Sequence, residues 1–270
     1  MRIIPYNDEV LGEVRDALFL KGLGRDAEKT RIVAFGSCNF SCPYCMRDAQ
    51  FIDSNGNVLK SVEVDEREIF HRLENAIANG ERIRLSGGDP CMHIRDSLKI
   101  AQWAAKRGCQ ISYCHNGSSP ALASRLAPYT AYAAIDLKAV SVDEFVLRAG
   151  IDKPVASKVM KNFHKVCRAV LSNESTLLDV RTCVFSTTTL KDLLEMAQMI
   201  SQLAHDDQVF WTIRQYDPVA TIDWQPLHQG ILDEWLSILS QKYPVLHMGY
   251  RSQWVGGIFY HWYSGNKTQL

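Results

Sequence analysis

The sequence has no long apolar run and no excess of charge of either sign. No apolar stretch reaches the roughly 18 residues that indicate a membrane-spanning helix. Pro5, Asn7, Asp8 and Glu9 interrupt the N-terminal apolar run, which is not typical of a signal peptide. Thirty basic residues balance thirty acidic ones, so the net charge indicates neither a nucleic acid nor an anionic membrane as a partner. We therefore expect a cytoplasmic protein whose cysteines stay reduced.

The cysteines also lack the paired CxxC knuckles that are common in structural zinc sites. Cys38, Cys42 and Cys45 instead lie together in the stretch SCNFSCPYCM. Three thiolates can hold three irons of a [4Fe–4S] cluster and leave the fourth iron open to another ligand. A zinc site that borrows a remote fourth ligand is the alternative. The residues considered for that ligand are Cys91, Cys114 and His115.

Beyond about residue 30, short apolar stretches alternate with longer amphipathic ones, which predicts strands that alternate with helices. The predicted strands are 31–36, 82–87, 110–115, 132–138, 178–185 and 209–216. The predicted helices include 65–80, 96–108, 153–173, 190–207 and 226–244. Right-handed crossovers would make the sheet parallel. The first choice of fold is α/β, an incomplete parallel (βα)6 barrel with a short N-terminal cap and C-terminal closing strands, and a doubly wound open sheet is the second.

The chain shows no low-complexity linker and no repeat beyond the βα unit, so we expect one domain over residues 1–270. Its parts would be an N-terminal helix or cap (1–30), the barrel core (31–217), and a C-terminal helix with closing strands (218–270).

Polar segments follow the predicted strands at their carboxyl ends, where parallel α/β folds place their chemistry. They are SGGDP (86–90), HNGSSP (115–120), IDLK (135–138), VRTCV (180–184) and RQYDP (214–218). Each is weak evidence alone, because tight turns and helix caps have similar sequences. Asp136 and Lys138 would share one side of their strand, and Arg181 is suited to a bidentate pair with a carboxylate.

Taken together, these motifs resemble the radical S-adenosylmethionine (SAM) superfamily, and the resemblance extends from about Gly36 to Asp217. It rests on C-x3-C-x2-C with an aromatic residue before the last cysteine, and on the order of the strand-end segments. It implies a [4Fe–4S] cluster whose ligands are Cys38, Cys42 and Cys45, with SAM on the open iron. The reduced cluster would cleave SAM to a 5′-deoxyadenosyl radical that abstracts a hydrogen atom from substrate. The electron would come from an external low-potential donor of the flavodoxin or ferredoxin type.

The resemblance also implies roles at the strand ends. The glycine-rich segment would line the methionyl amino group of SAM, the HNGSSP segment its ribose, the arginine of VRTCV its carboxylate, and Tyr44 with the ends of the fifth and sixth strands its adenine. The implied cofactor-binding residues are Tyr44, Gly87, Gly88, Asp89, Asn116, Ser118, Arg181 and Gln215. The candidate catalytic residues are Asp136 and Lys138.

The substrate is less defined than the cofactors. The segments HNGS, IDLKAV, VRTCVF and IRQYDP resemble those of glycyl-radical activating enzymes, including the pyruvate formate-lyase and anaerobic ribonucleotide reductase activators. A glycyl-radical enzyme would then be the partner. The alternative is a small molecule, such as a nucleoside, an aminosugar or another natural-product precursor. A non-catalytic metal-binding protein is the alternative of another class.

We expect one cluster per chain. No cysteine follows Cys183, whereas relatives with auxiliary clusters supply their extra ligands in C-terminal extensions. Cys109 and Cys114 stand at opposite ends of a predicted strand, roughly 16 Å apart, which is too far for one cubane. The other cysteines are therefore interpreted as small packing residues.

Overall fold

The structure, a computed structural model, describes residues 1–5, 11–16, 28–45, 60–203, 208–218, 222–254, 257–264 and 267–269. Strands β1 to β12 span Arg2–Ile3, Gly12–Asp16, Glu28–Phe35, Val62–Glu63, Arg82–Gly87, Ile111–His115, Thr130–Asp136, Leu177–Val184, Val209–Gln215, His247–Trp254, Gly257–Ser264 and Lys267–Gln269. Helices α1 to α7 span Glu66–Ala78, Ile94–Ala105, Pro120–Leu126, Val142–Ala149, Lys153–Val170, Leu190–Ser201 and Gln229–Lys242.

The strands form one mostly parallel sheet that is not closed. β3, β5, β6, β7, β8, β9 and β10 lie side by side in that order, each parallel to the next. Antiparallel strands extend both edges: β1 and β2 pair with β3, and β4 pairs with β1, while β11 pairs with β10 and β12 with β11. This confirms the predicted α/β incomplete parallel barrel. The first closing strand, β10, adds a seventh parallel strand to the six that the sequence predicts.

Local sequence explains where several helices begin. The Asp65 carboxylate accepts the Arg67 N–H at the start of α1, and Thr189 and Asp192 form a reciprocal capping box at the start of α6. Apolar residues of every helix except α4 then pack against the sheet. Phe145 and Ala149 of α4 instead pack in a separate cluster with Phe40. In the described part of the chain, no helix is both long and apolar enough to cross a membrane.

The two faces of the sheet have different character. The outer face packs against the helices and carries apolar residues such as Leu85, Tyr113 and Trp211. Because side chains alternate along a strand, the residues between them belong to the opposite, inner face. Its members include Arg84, Cys114, Tyr132, Ala134, Asp179, Arg181, Phe210, Thr212, Arg214, His247 and Arg251. The inner face is therefore largely polar, unlike the apolar layer under the helices.

Candidate active site

The loop after β3, residues 37–45, carries three cysteines and lies across the carboxyl end of the sheet. The Ser41 N–H donates to the Ala149 carbonyl at 3.0 Å, which ties this loop to the end of α4. Phe40 is buried there and contacts the Phe145 ring edge-on, with 6.1 Å between centroids. A turn closed by the Cys45 N–H and the Cys42 carbonyl at 3.1 Å lies at the end of the described part of the loop. The loop of the first parallel strand thus reaches the helix after β7, which brings distant strand ends to one mouth.

The three loop cysteines are free and half-buried. Burial raises the pKa of the Cys38 thiol to about 11, with Asp89 adding to the shift, and burial also raises the pKa of Cys42. Neither thiol would therefore be a thiolate at neutral pH without a bound cation, and metal binding deprotonates coordinating thiols. The loop is held in place and carries three thiols that form no disulfide, and Phe40 packs beside them. This arrangement fits three irons of a [4Fe–4S] cluster.

The glycine-rich segment packs directly against the start of this loop. The Gly88 N–H donates to the Phe35 carbonyl at 2.6 Å, and the Asp89 N–H donates to the Ser37 carbonyl at 2.8 Å. A Cβ on Gly88 would lie 2.0 Å from the Ser37 oxygen, and Gly87 has a positive φ of 87°. Glycine at positions 87 and 88 therefore lets the backbone of the glycine-rich segment pack against the backbone at the start of the cysteine loop. Their predicted contact with the methionyl group of SAM stays a prediction.

Asp89 is the centre of a buried network. One carboxylate oxygen, Oδ1, lies 2.8 Å from His115 Nδ1 and accepts the Cys91 N–H, while the other, Oδ2, accepts the Asn116 N–H. The Ser119 N–H donates to His115 Nε2, so Nδ1 carries the proton that is donated to Asp89. Burial raises the pKa of Asp89, but His115 and the two N–H groups outweigh it and lower that pKa below its usual value.

The Asp89 network has the donor types of a metal site but is internally satisfied. Ligand atoms of Asp89, Cys91 and His115 lie within 4.8 Å of one another. Both ring nitrogens of His115 and both carboxylate oxygens of Asp89 already have hydrogen-bond partners in the protein. The network joins the glycine-rich and HNGSSP segments, as a structural connection would.

Asn116 and Ser118 connect the HNGSSP segment to the cysteine loop. Asn116 Nδ2 donates to Asn39 Oδ1 at 2.7 Å and approaches Cys38 Sγ at 3.8 Å. Asn39 Nδ2 donates to Ser118 Oγ at 3.0 Å. Their predicted contact with the ribose of SAM stays a prediction, and in this structure they hold the residue that follows the first cysteine.

Asp136 and Lys138 lie at the mouth beside Tyr44. Lys138 Nζ lies 2.7 Å from Asp136 Oδ2 and 3.4 Å from the Tyr44 hydroxyl. Burial alone would lower the pKa of Lys138, but Asp136 and Tyr44 raise it well above its usual value. Tyr44 also belongs to an aromatic cluster, with ring centroids 4.9 Å, 6.4 Å and 5.9 Å from three partners. Those partners are Phe185, Tyr216 and Trp224.

Arg181 and Gln215 form hydrogen bonds with other residues of the protein. Arg181 Nε lies 2.8 Å from Asp179 Oδ2, and its Nη2 lies 2.5 Å from the Tyr132 hydroxyl, so the guanidinium turns from its strand neighbour Asp136 toward the interior. Gln215 donates to the Leu227 carbonyl at 2.7 Å. Their predicted contacts with the carboxylate and adenine of SAM stay predictions.

The chain resembles known proteins in both sequence and fold. Residues 32–200 match the sequence pattern described as the Radical SAM superfamily. The chain belongs to the radical SAM superfamily. Radical SAM enzymes use a [4Fe–4S] cluster and SAM, and they need an electron donor and a substrate. The cysteine loop, the glycine-rich segment and the inner face of β5 to β8 all fall within the matched residues.

Relatives of this radical SAM chain differ in what they do. It is 34% identical over 74 residues to a GTP 3′,8-cyclase of Campylobacter fetus subsp. fetus (strain 82-40). The matched residues make up 27% of this chain and 22% of the cyclase. A domain of pyruvate-formate lyase-activating enzyme from Bacteroides vulgatus ATCC 8482 superposes with a TM-score of 0.50 and 13% identity, covering 63% of this chain and 98% of that one. A radical SAM methyltransferase from Sphaerobacter thermophilus superposes with a TM-score of 0.57 and 12% identity, covering 90% of this chain and 78% of that one. The structural likeness shows the shared fold.

Sequence reasoning missed several residues around the mouth. Asn39 has no periodic pattern, and only its place between two cluster cysteines could have drawn attention to it. Trp224 lies in a segment between strand and helix, and no motif connects it with Tyr44. The partnership of Asp89 with His115 joins residues on different strand-end loops, which one sequence does not reveal.

Proposed function

We propose that this chain is a radical SAM enzyme that abstracts a hydrogen atom from a substrate held over the inner face of its barrel. The observation that carries the proposal is the cysteine loop, which lies across the carboxyl end of a sheet whose inner face carries charged residues such as Arg84, Asp179 and Arg181. Charged residues are seldom buried in a packed core, whereas a few polar groups orient the ligand in a binding pocket.

The residues at the mouth fit the two cofactors. Cys38, Cys42 and Cys45 would hold the cluster, and the aromatic cluster around Tyr44 would flank the adenine of SAM. When bound, the reduced cluster and SAM supply a 5′-deoxyadenosyl radical, which removes a hydrogen atom from substrate. Lys138, held by Asp136, would place a positive charge at the same mouth. An external flavodoxin-type or ferredoxin-type protein would supply the electron.

We also propose that residues 1–270 act as one domain. One continuous sheet runs from β4 and β1 at one edge to β12 at the other, and so includes strands from both ends of the described chain. Removing either end would therefore expose a sheet edge.

The test is SAM cleavage by anaerobically reconstituted protein. With a strong reductant, the protein is expected to convert SAM to 5′-deoxyadenosine and methionine, as measured by liquid chromatography. Replacement of Cys42 by Ala should abolish this conversion, whereas replacement of Cys109, two residues before β6 and at the end of that strand away from the mouth, should preserve it. Stoichiometric zinc without iron–sulfur absorption in the anaerobic protein would contradict the proposal.

Activation of a glycyl-radical enzyme is the second candidate. The strand-end segments around Asn116, Asp136 and Arg181 and the likeness to the Bacteroides activating-enzyme domain support it. An activase must admit a glycine-bearing segment of its partner. Incubation with a glycyl-radical enzyme and SAM should then produce a protein radical detectable by electron paramagnetic resonance, and a chain that turns over only small molecules would give none.

A further inference from the structure

Helix α5 separates part of the cysteine loop from solvent. Val159 and Met160 of α5 pack with Phe40 of the loop in one apolar cluster. Cys38 and Cys42 lie against the same cluster. An α-helix with its side chains is about 10–12 Å across, so the exposed face of α5 lies about one helix diameter from two of the predicted cluster ligands.

The exposed face of α5 carries positive charge alone. The helix contains several basic residues and no acidic one, although basic and acidic residues are balanced in the whole chain. Four of these basic residues follow one another at spacings of three or four positions, so they form one line along the helix surface. This line, called the basic stripe below, consists of Lys158, Lys161, Lys165 and Arg168, and all four residues are exposed.

In the described part of the chain, no side chain forms an ion pair or a hydrogen bond with the basic stripe. Lys153, at the start of α5, differs, because its ammonium lies 2.7 Å from an Asp143 carboxylate oxygen. Helix α3, which packs against α5, adds Arg125 and no acidic residue. Helices α1, α2, α4, α6 and α7 each contain at least one acidic residue. The unpaired positive charge is therefore local to one side of the barrel.

Two exposed apolar side chains accompany the end of the basic stripe nearest the mouth. Val155 is 40% exposed and precedes Lys158 by three residues, so their side chains are neighbours on the helix surface. Leu147 of α4 is 61% exposed, and α4 packs against α5. Protein interfaces combine apolar contacts with a polar rim, and those of electron-transfer complexes are small. This end of α5 has the composition of such an interface.

The position of the basic stripe suits the delivery of electrons. Radical SAM enzymes need an electron donor. Electron transfer slows as the distance between donor and acceptor grows, so a carrier must dock where little protein covers the cluster. One helix separates the basic stripe from the cysteine loop. Since α5 lies on the outer face of the sheet, a carrier docked there leaves the inner face free for substrate.

A nucleic acid is the other partner that a basic surface attracts. Proteins hold single-stranded nucleic acids largely by stacking the bases on aromatic side chains. Among the residues that the structure describes, the exposed large apolar side chains include no aromatic ring. The observations therefore favour an acidic protein over a nucleic acid.

We propose that the basic stripe, with Val155 and Leu147 beside it, is the docking surface of an acidic electron-carrier protein that reduces the [4Fe–4S] cluster. Opposite charges speed the encounter of two proteins and orient them, which suits a complex that forms and separates at each turnover. The carrier loses one electron and the cluster gains it, with no bond formed or broken. The inference rests on the proposed function and assigns its electron donor to one surface of this chain.

The test compares two double charge reversals in the anaerobically reconstituted protein. The stripe variant combines Lys158→Glu with Lys161→Glu. The control variant combines Lys106→Glu with Lys242→Glu and changes the net charge by the same amount. Lys106 and Lys242 are exposed and lie where α2 and α7 end, away from the mouth.

Formation of 5′-deoxyadenosine is measured at low ionic strength with a reduced acidic flavodoxin, with a reduced acidic ferredoxin and with dithionite. For the carrier that the wild type prefers, the stripe variant should lose about tenfold or more in kcat/KM, because electrostatic steering is lost. The control variant should stay within about twofold of the wild type, because its charges are more than a Debye length from the docked carrier. With dithionite, which needs no docking surface, all three proteins should have similar rates.

Lysine acetylation of the wild type, mapped by mass spectrometry, needs no variant. The bound carrier should protect Lys158 and Lys161 but not Lys106 or Lys242, and equal acetylation with and without the carrier would count against the surface. This result decides if the stripe variant also loses its activity with dithionite. Protection of the basic stripe by a single-stranded oligonucleotide, and not by either carrier, would assign the surface to a nucleic acid and overturn the proposal.

Equal kcat/KM of the stripe and control variants, or a wild type that neither carrier can reduce, would also overturn it. A wild type that cleaves SAM with dithionite while giving either of these results contradicts the docking surface alone. A wild type that does not cleave SAM with dithionite contradicts the proposed function.

Discussion

His115 Nδ1 lies 2.8 Å from Asp89 Oδ1, and both side chains are almost completely buried. The contact joins the segment after β5 to the segment after β6, and each of these segments also touches the cysteine loop. The carboxylate therefore supports the mouth through hydrogen bonds to two segments at once.

Asp89→Asn should lower the free energy of unfolding by about 2 kcal/mol, because charge-assisted hydrogen bonds in a buried site are lost. Urea denaturation of the cluster-free protein measures this change in the free energy of unfolding. Asp143→Asn is the matched control: its side chain is 83% exposed and pairs with Lys153 at the surface, so a change below about 0.5 kcal/mol is expected.

The same carboxylate makes stability depend on pH. The pKa of Asp89 is lowered in the folded protein, so its contribution is fully present above its unfolded value of about 3.9 and is lost as pH falls through the folded pKa. The decline of stability at acid pH should be shallower in Asp89→Asn than in the wild type. Parallel curves for both proteins would show that Asp89 is not held ionised by its partners.

Gly88→Ala should disrupt the cysteine loop, because its Cβ would lie 2.0 Å from the Ser37 carbonyl oxygen. We expect a loss of about 1–3 kcal/mol in stability and a lower iron content after reconstitution. Gly230→Ala is the control, since the nearest atom to its Cβ would lie 3.5 Å away, and its stability should stay within about 1 kcal/mol of the wild type. Normal iron content in Gly88→Ala would show that the loop adapts.

Thr212→Val and Thr182→Val form a matched pair on adjacent strands. The Thr212 hydroxyl has no partner, so its removal should raise the free energy of unfolding by about 1 kcal/mol. The Thr182 hydroxyl accepts the Trp211 indole N–H at 3.0 Å, so its removal should cost about 1–2 kcal/mol. Equal destabilisation by both substitutions would mean that the Thr212 hydroxyl does have a partner within the protein.

Combined replacement of Cys38, Cys42 and Cys45 by Ala should leave no [4Fe–4S] absorption and no bound iron after reconstitution. A variant with only Cys109→Ala should retain about four irons per chain. Near-stoichiometric iron in the triple variant would show that the chain holds a second cluster.

The alternation of strands and helices and the cysteine loop were predictable, because both are encoded locally. Apolar periodicity marks each element, and Cys38, Cys42 and Cys45 are close in the chain whatever the fold. The N-terminal strands β1 and β2 were not predicted, since each is short and is held by pairing to β3 rather than by its own pattern.

The sequence by itself therefore determined the family, the parallel barrel and the place of the predicted cluster ligands. Only the tertiary structure decided that Asp89 meets His115, that Arg181 turns toward Asp179, and that Arg214 stands beside Arg251. These relationships depend on the register between strands and on packing at the mouth. The apolar pattern decides which face of a strand is buried, but no short turn sets the register between parallel strands, which depends on how distant segments fit together.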